Sequence, residues 1–87
     1  MEPKGYHLKE IKKGVLGEIS KIIEEVAELQ DANEQGIKVM ELCELSDIYG
    51  AIKAYLNKYH SNISIQDLEA MNNATERAFK SGQRKWK

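Results

Sequence analysis

Apolar residues recur along the chain at spacings of three and four, which is the period of one face of an α-helix. In the first half the recurring positions are Val15, Ile19, Ile22, Val26 and Leu29. They predict a first helix from about Val15 to about Asn33, followed by a turn in which Gly36 can adopt the left-handed conformation common after a helix. So short a turn predicts that the next helix runs antiparallel to the first.

Two further helices are predicted, from about Ile37 to about Tyr59 and from about Ile65 to about Lys80. The second carries an apolar stripe at Ile37, Met40, Ile48, Ala51 and Tyr55. The third begins with Ser64 and Asp67, a spacing typical of an N-terminal cap, and has an apolar side at Ile65, Leu68, Met71, Thr75 and Phe79. The predicted fold is therefore all-α, with an antiparallel helical hairpin and a third helix.

The chain divides into an N-terminal segment at 1–14, one helical domain at 15–82 and a basic tail at 83–87. Gly14 and Gly17 each cost about 1 kcal/mol relative to alanine inside a helix, so we expect a turn or break near them. A chain of 87 residues buries a small share of its surface. We therefore expect a homo-dimer or homo-tetramer that completes a four-helix-bundle core.

The charge, hydropathy and cysteine content of the chain indicate which partners and which cellular compartment to expect. A formal net charge of -1 provides no general attraction to nucleic acid or to anionic lipid. The N-terminus has no apolar core of signal-peptide length, and no run approaches the roughly 18 apolar residues that span a membrane. With a single cysteine, Cys43, the chain fits a reducing compartment. These features predict a cytoplasmic protein with neither a membrane nor a specific nucleic acid as partner.

Two acidic residues interrupt the apolar face of the second predicted helix. Glu44 lies in the middle of the stripe, and Asp47 follows one turn later with mostly apolar neighbours at helical spacing. Burying an isolated carboxylate is very unfavourable, and two carboxylates three residues apart repel each other. The pair therefore requires a proton, a cationic side chain or a metal ion.

The first helix supplies a matching pair, because Glu25 and Glu28 are also three residues apart and so lie about 60° apart around the helix. Glu24 projects nearly opposite the apolar stripe, so we expect it to face solvent. In an antiparallel hairpin, Glu25 and Glu28 can lie across from Glu44 and Asp47. Ligation by oxygen alone suits Mg²⁺, or Mn²⁺ as a substitute, and disfavours zinc.

A simpler interpretation remains open for every residue in this set. The acids could be ordinary surface charges paired with Lys21, Lys38 or Lys53. Outside the set, His7 and His60 have no partner at metal-ligand spacing, so we expect surface or helix-end positions for both. We expect Cys43 to be a small core residue of the second helix.

The sequence Glu-x-x-Glu on one helix and Glu-x-x-Asp on the next, here EEVAEL and ELSD, resembles an all-α superfamily. This is the superfamily of MazG-like and phosphoribosyl-ATP pyrophosphatase-like nucleoside triphosphate pyrophosphohydrolases. The resemblance covers about residues 14–84, and the segments ELSDIYGAI and MNNATERAFKSGQR resemble its small single-domain, phage-type members. It implies Mg²⁺-dependent cleavage between the α and β phosphates of a nucleoside triphosphate, giving a nucleoside monophosphate and pyrophosphate.

The resemblance also implies roles for individual residues. The matched metal-binding and catalytic positions are Glu25, Glu28, Glu44 and Asp47. Lys21 is a candidate phosphate contact, with an ion pair to Glu25 as the alternative. Lys80 and Arg84 are further candidates for phosphate contact, although the segment AFKSGQR departs from the Lys-Phe-x-x-Arg type of ending found in larger members.

Two other functions compete with this prediction. One is a phosphoribosyl-ATP pyrophosphatase-type activity, which applies the same chemistry to a different nucleotide. The other is a non-catalytic helical interaction module whose acidic cluster binds a basic partner. A substrate panel distinguishes the first alternative, and metal binding at the four acids distinguishes the second.

Overall fold

The computed structural model describes residues 7–80, most of which lie in three α-helices. Helix α1 spans Ile19–Gln35, α2 spans Lys38–Tyr59 and α3 spans Ile65–Lys80. Residues 7–80 contain no β-strand, so the all-α prediction is confirmed for this part of the chain. The predicted tail at 83–87 lies outside the described residues.

The first helix begins four residues later than the sequence pattern predicts. Gly17 has a φ of +92°, a conformation that residues with a side chain rarely adopt, and the helix follows directly after Glu18. The expected break near Gly14 and Gly17 is confirmed, and the predicted helix start at Val15 was wrong. Residues 7–15 instead form an irregular segment.

Helices α1 and α2 form the predicted hairpin around Gly36. This glycine has a φ of +72°, and its N–H donates to the carbonyl oxygen of Asn33 at 3.0 Å. It therefore closes the end of α1 in the left-handed conformation for which glycine is favoured. Only Gly36 and Ile37 separate the two helices, so the hairpin geometry follows from a short connection.

Replacing Gly36 and Gly50 by alanine is expected to change stability in opposite directions. A Cβ meets no atom within 4 Å at either position, so packing is not the difference. Gly36→Ala should lower the free energy of unfolding by about 1 kcal/mol, because alanine is strained at positive φ. Gly50→Ala, inside α2, should raise it by up to about 1 kcal/mol, because alanine favours a helix. Urea unfolding of both variants checks this, and an equal effect at the two positions would contradict it.

Helix α3 begins as predicted and packs only lightly on the hairpin. Ser64 and Asp67 form reciprocal bonds, in which the Ser64 N–H donates to Asp67 Oδ2 at 2.8 Å and the Asp67 N–H donates to Ser64 Oγ at 3.1 Å. Within residues 7–80, α3 contacts α2 and not α1, and none of its residues is buried. No helix in this range has the length and apolar character needed to cross a bilayer.

The interior of the hairpin is small and unusually acidic. Its buried apolar residues are Ala32, Met40, Ala51 and Leu56, and its buried polar residues are Glu24, Glu25, Asp31 and Glu44. Three residues of the apolar stripe are exposed on the single chain, namely Val15, which precedes α1, and Ile19 and Val26. Cys43 is also exposed rather than in the core. The face of α1 that packs inward is instead the acidic one.

Candidate metal centre

Acidic side chains from the two helices of the hairpin converge on one region. Carboxylate oxygens of Glu25, Glu44 and Asp47 lie within 4.8 Å of one another. Glu28 belongs to a second such group, together with Glu24 and Glu25. The structure therefore brings together the four acids selected from the sequence, and Glu25 joins the two groups.

The acids differ in burial, and the buried ones require a compensating positive charge or a proton. Glu44 is 1% exposed and Glu25 is 5% exposed, whereas Asp47 is exposed at the rim. Small residues on the facing sides of the helices, Ala32 and Ala51, are also buried. Because such side chains let helices approach closely, they help to hold the acids of α1 near those of α2.

Glu25 shows that the charge in this region is incompletely compensated. Its Oε2 pairs with the Lys21 ammonium at 3.0 Å. Its Oε1 is buried, and no N–H or hydroxyl group among the described residues donates to it. Buried carboxylate oxygens nearly always have a partner, so this oxygen suits a shared carboxyl proton or an additional cation. The donor set of the region, which is dominated by carboxylate oxygens, is also the one that Mg²⁺ prefers.

The carboxyl group of Glu28 has a strongly raised pKa. Burial raises its pKa to about 8, with further contributions from a hydrogen bond with Glu25 and from the charges of Glu25, Glu44 and Glu24. Two ionised carboxylates cannot bond to each other, so the proton that Glu28 retains is what allows its hydrogen bond with Glu25. In the absence of a metal ion, Glu28 therefore carries a proton at neutral pH.

The expectation that Glu24 faces solvent was wrong, since this residue is 3% exposed. The irregular segment before α1 covers it. The Gly14 N–H donates to Glu24 Oε1 at 2.8 Å, and the ammonium groups of Lys21 and Lys13 lie 3.1 and 3.6 Å from its oxygens. Burial alone would raise the pKa of Glu24, but these hydrogen bonds and charges outweigh it and lower the pKa. Glu24 is thus ionised and well compensated, unlike Glu25.

His7, expected at the surface, lies against the acids instead, with a side chain only 12% exposed. Its Nε2 is 3.1 Å from Glu44 Oε2 and 3.5 Å from Glu28 Oε1. Its Nδ1 is 2.9 Å from Asp31 Oδ2. No local pattern in the sequence could have shown this, because the contacts join residues at least 21 positions apart. The other histidine, His60, is exposed at the end of α2, as expected.

Asp31 is a buried acid that the sequence pattern did not single out. Its Oδ2 accepts hydrogen bonds from His7 Nδ1, from the Leu8 N–H at 3.2 Å and from Gln35 Nε2 at 3.0 Å. The His7 bond, aided by those from Leu8 and Gln35, lowers its pKa against the effect of burial. The spacing of Glu24, Glu28 and Asp31 at four and three residues was the available signal, since it places three acids on one helix face.

The three basic residues proposed as phosphate contacts have different outcomes. Lys21 pairs with Glu24 and Glu25, and the ion pair with Glu25 is the alternative considered for it. Lys80 pairs with Glu76 on its own helix at 3.0 Å, and among residues 7–80 no contact between Lys80 and the four acids is observed. Arg84 lies outside the described residues. Lys21 is thus the one of the three that the structure places beside the acids.

Comparisons with family models, with curated proteins and with solved structures find no match for this chain. The geometry of the acids and the resemblance of their sequence motifs are therefore what bears on its function.

Proposed function

We propose that this protein is a Mg²⁺-dependent nucleoside triphosphate pyrophosphohydrolase that cleaves the α–β phosphoanhydride. One observation carries the proposal: buried Glu25 of α1 meets buried Glu44 and exposed Asp47 of α2 across the hairpin, and one buried oxygen of Glu25 accepts from no N–H or hydroxyl group among the described residues. The resemblance of the EEVAEL and ELSD segments to the pyrophosphohydrolase superfamily supports it.

The residues present fit a hard divalent cation. Glu25, Glu44 and Asp47 would hold it, with Glu28 beside them. The exposed position of Asp47 leaves one side of this group open, which suits an ion that keeps water and substrate phosphates as further ligands. When bound, the ion would neutralise phosphate charge and stabilise the charge that develops on the pyrophosphate leaving group.

Glu28 and Lys21 have separate tasks in this proposal. A general base must lie near the water that it activates, and Glu28 lies beside the carboxylates that would hold the ion. The charge of the ion would favour the ionised form of Glu28, which would accept the proton of the attacking water. The Lys21 ammonium is partly exposed beside Glu25, so it can turn toward an anionic substrate at the rim.

A screen for pyrophosphate release over canonical and modified nucleoside triphosphates, with phosphoribosyl-ATP in the same panel, tests the activity. We expect pyrophosphate and a monophosphate in equal amounts from at least one triphosphate, and only when Mg²⁺ or Mn²⁺ is present. Turnover of phosphoribosyl-ATP alone would identify the alternative substrate. Orthophosphate as the first product, or no turnover of any substrate, would contradict the proposal.

We also propose that the active protein is a homo-dimer or homo-tetramer. Large apolar side chains are exposed on both helices of the hairpin, on α1 at Ile19, Ile23 and Val26 and on α2 at Val39, Leu42 and Leu45. An apolar groove of about 440 Å³ runs beside Val26, Leu29 and Leu45. Exposed apolar surface on this scale is typical of an interface, and a second copy of the chain would cover it.

Sedimentation equilibrium of the wild type should therefore give a mass of two or four chains. Leu42→Glu is expected to shift the protein toward the monomer, because it places a charge on the exposed apolar face. Asn57→Glu, at an exposed polar position of the same helix, is the matched control and should leave the mass unchanged. A monomeric wild type, or equal behaviour of the two variants, would contradict this proposal.

A further inference from the structure

We infer that His7, together with Glu28 and Glu44, ligates a transition-metal ion through its Nε2 atom. This assigns to the acidic region a nitrogen ligand and a metal position beside the all-oxygen group of Glu25, Glu44 and Asp47. The inference deepens the proposed function because it uses the same acids, but it does not require hydrolysis to occur. Glu28 is a ligand of the transition-metal ion here, and it is the general base only when Mg²⁺ is held by Glu25, Glu44 and Asp47.

The distances within this group match ligands that share one ion. His7 Nε2 lies 3.1 Å from Glu44 Oε2 and 3.5 Å from Glu28 Oε1, and the three ligand atoms are all within 4.8 Å of one another. Two ligands bound at about 2.1 Å and at right angles lie about 3 Å apart. A bound ion therefore needs only a small adjustment of these side chains.

The orientation of the imidazole is fixed from its other side. His7 Nδ1 donates to Asp31 Oδ2 at 2.9 Å, and this buried carboxylate is itself held by the Leu8 N–H and the Gln35 amide. The arrangement of carboxylate, histidine and metal is the usual one for metal-binding histidines, in which the hydrogen bond sets the tautomer. With Nδ1 donating to Asp31, Nε2 is the ring atom directed at Glu28 and Glu44. A proton on Nε2 bridges to Glu44 in the metal-free protein, and a bound metal ion would replace that proton.

A second observation points to a cation in the same place. Glu25 Oε1 is buried and accepts from no N–H or hydroxyl group among residues 7–80, and Glu25 lies in one group with Glu28 and in another with Glu44. Imidazole nitrogen favours later transition metals over Mg²⁺, so the ligand set of His7, Glu28 and Glu44 would select an ion such as Co²⁺.

Calorimetric titration of the metal-free full-length protein with Co²⁺ and with Mg²⁺ tests the inference. His7→Ala is expected to weaken Co²⁺ binding by at least about tenfold, and Asp31→Asn by about tenfold, since removing an outer partner costs about 10–100-fold. Mg²⁺ binding should change by less than about twofold in His7→Ala, because oxygen ligands remain. His60→Ala, at the exposed histidine, is the control and should leave both affinities unchanged. An unchanged Co²⁺ affinity in His7→Ala would overturn the inference.

A measurement on the wild type tests the same inference without relying on the folding of His7→Ala. Substoichiometric Co²⁺ should broaden the imidazole NMR signals of His7 and leave those of His60 sharp. Broadening of neither or of both would count against ligation by His7. Pyrophosphate release with Mg²⁺ separates the two proposals. If the protein releases pyrophosphate but His7→Ala binds Co²⁺ as tightly as the wild type, only the His7 ligand is rejected. If Co²⁺ binds through His7 but no nucleotide is hydrolysed, only the hydrolase is rejected.

Discussion

Glu44→Gln and Asp47→Asn are each expected to lower kcat/KM for Mg²⁺-dependent pyrophosphate release by at least about 10³-fold. A catalytic ion contributes several kcal/mol to stabilising the transition state, and about 1.4 kcal/mol corresponds to a factor of ten in rate. Each variant replaces a carboxylate of the group that includes Glu25 by a neutral amide of nearly the same shape. The ion would then lose a ligand, and the hydrolysis that depends on it would be lost as well.

The two variants should remain folded, which separates lost chemistry from lost structure. Glu44 is buried beside other acids, so a neutral amide reduces repulsion there, and its oxygen can still accept a hydrogen bond from His7 Nε2. Asp47 is exposed. We therefore expect the helical circular dichroism to be unchanged and the stability of the metal-free protein to be equal to or above that of the wild type. Glu41→Gln, one turn before Glu44 on the same helix, is the matched control and should keep full activity.

Specific results would argue against the assignment of these acids. Activity retained in both Glu44→Gln and Asp47→Asn would remove the proposed metal ligands from the mechanism. Equal loss in Glu41→Gln would indicate a general effect of charge on α2 rather than ligation. Calorimetry with Mn²⁺ on the same proteins adds an independent measure, because ligand loss should weaken metal binding and activity together.

The stability of the metal-free protein is expected to fall as the pH rises from about 4.5 to about 8. The ordinary pKa of a glutamate carboxyl is 4.5, whereas the pKa of Glu28 in the folded chain is about 8. Between these values the folded protein binds more protons than the unfolded one, so raising the pH favours unfolding. The contribution of this one group is at most about 1.4 kcal/mol per pH unit.

The surroundings of Glu28 explain its raised pKa, and the variant Glu28→Gln isolates its effect on stability. Burial, with the charges of Glu25 and Glu24 on its own helix and Glu44 on α2, opposes its ionisation, while His7 lies on its other side. Since other groups titrate in the same range, the decisive quantity is the difference between the wild type and Glu28→Gln. The two proteins should be equally stable near pH 4.5, and Glu28→Gln should be the more stable at pH 8.

Urea unfolding in the presence of EDTA at pH values from about 4.5 to about 8 gives this comparison. Parallel stability curves for the wild type and Glu28→Gln would show that Glu28 ionises normally in the folded chain. The proton on Glu28 also competes with a bound cation, so Mg²⁺ should raise Tm more at about pH 8 than at about pH 6. Glu34→Gln, at an exposed acid of α1 paired with Lys9, should follow the wild type in both experiments.

The sequence pattern located the helices well and their inward faces less well. It predicted α3 to the residue and α2 to within one residue, because turn and cap residues at Gly36 and Ser64 act locally. It also selected Glu44 correctly as an acid within a buried stripe. On α1 the same reasoning was wrong about Glu24, which is buried, whereas Ile19 and Val26 are exposed on the single chain.

The error about Glu24 has a single physical cause. Periodicity shows which residues share a face of a helix, but it does not show what covers that face. The irregular segment at 7–15 covers the acidic face and supplies the Gly14 N–H to Glu24 and the His7 imidazole to Asp31. The apolar face is the one left exposed on the single chain.

What the amino-acid sequence determined by itself is the all-helical fold, the hairpin and the pairing of Glu25 and Glu28 with Glu44 and Asp47. These follow from local propensities and from spacing along a helix, which act over a few residues. Only the tertiary structure decided that Glu28 is buried enough to hold a proton and that His7 reaches the acids. Burial and contacts between distant residues depend on how the whole chain packs, and no short stretch of sequence contains that information.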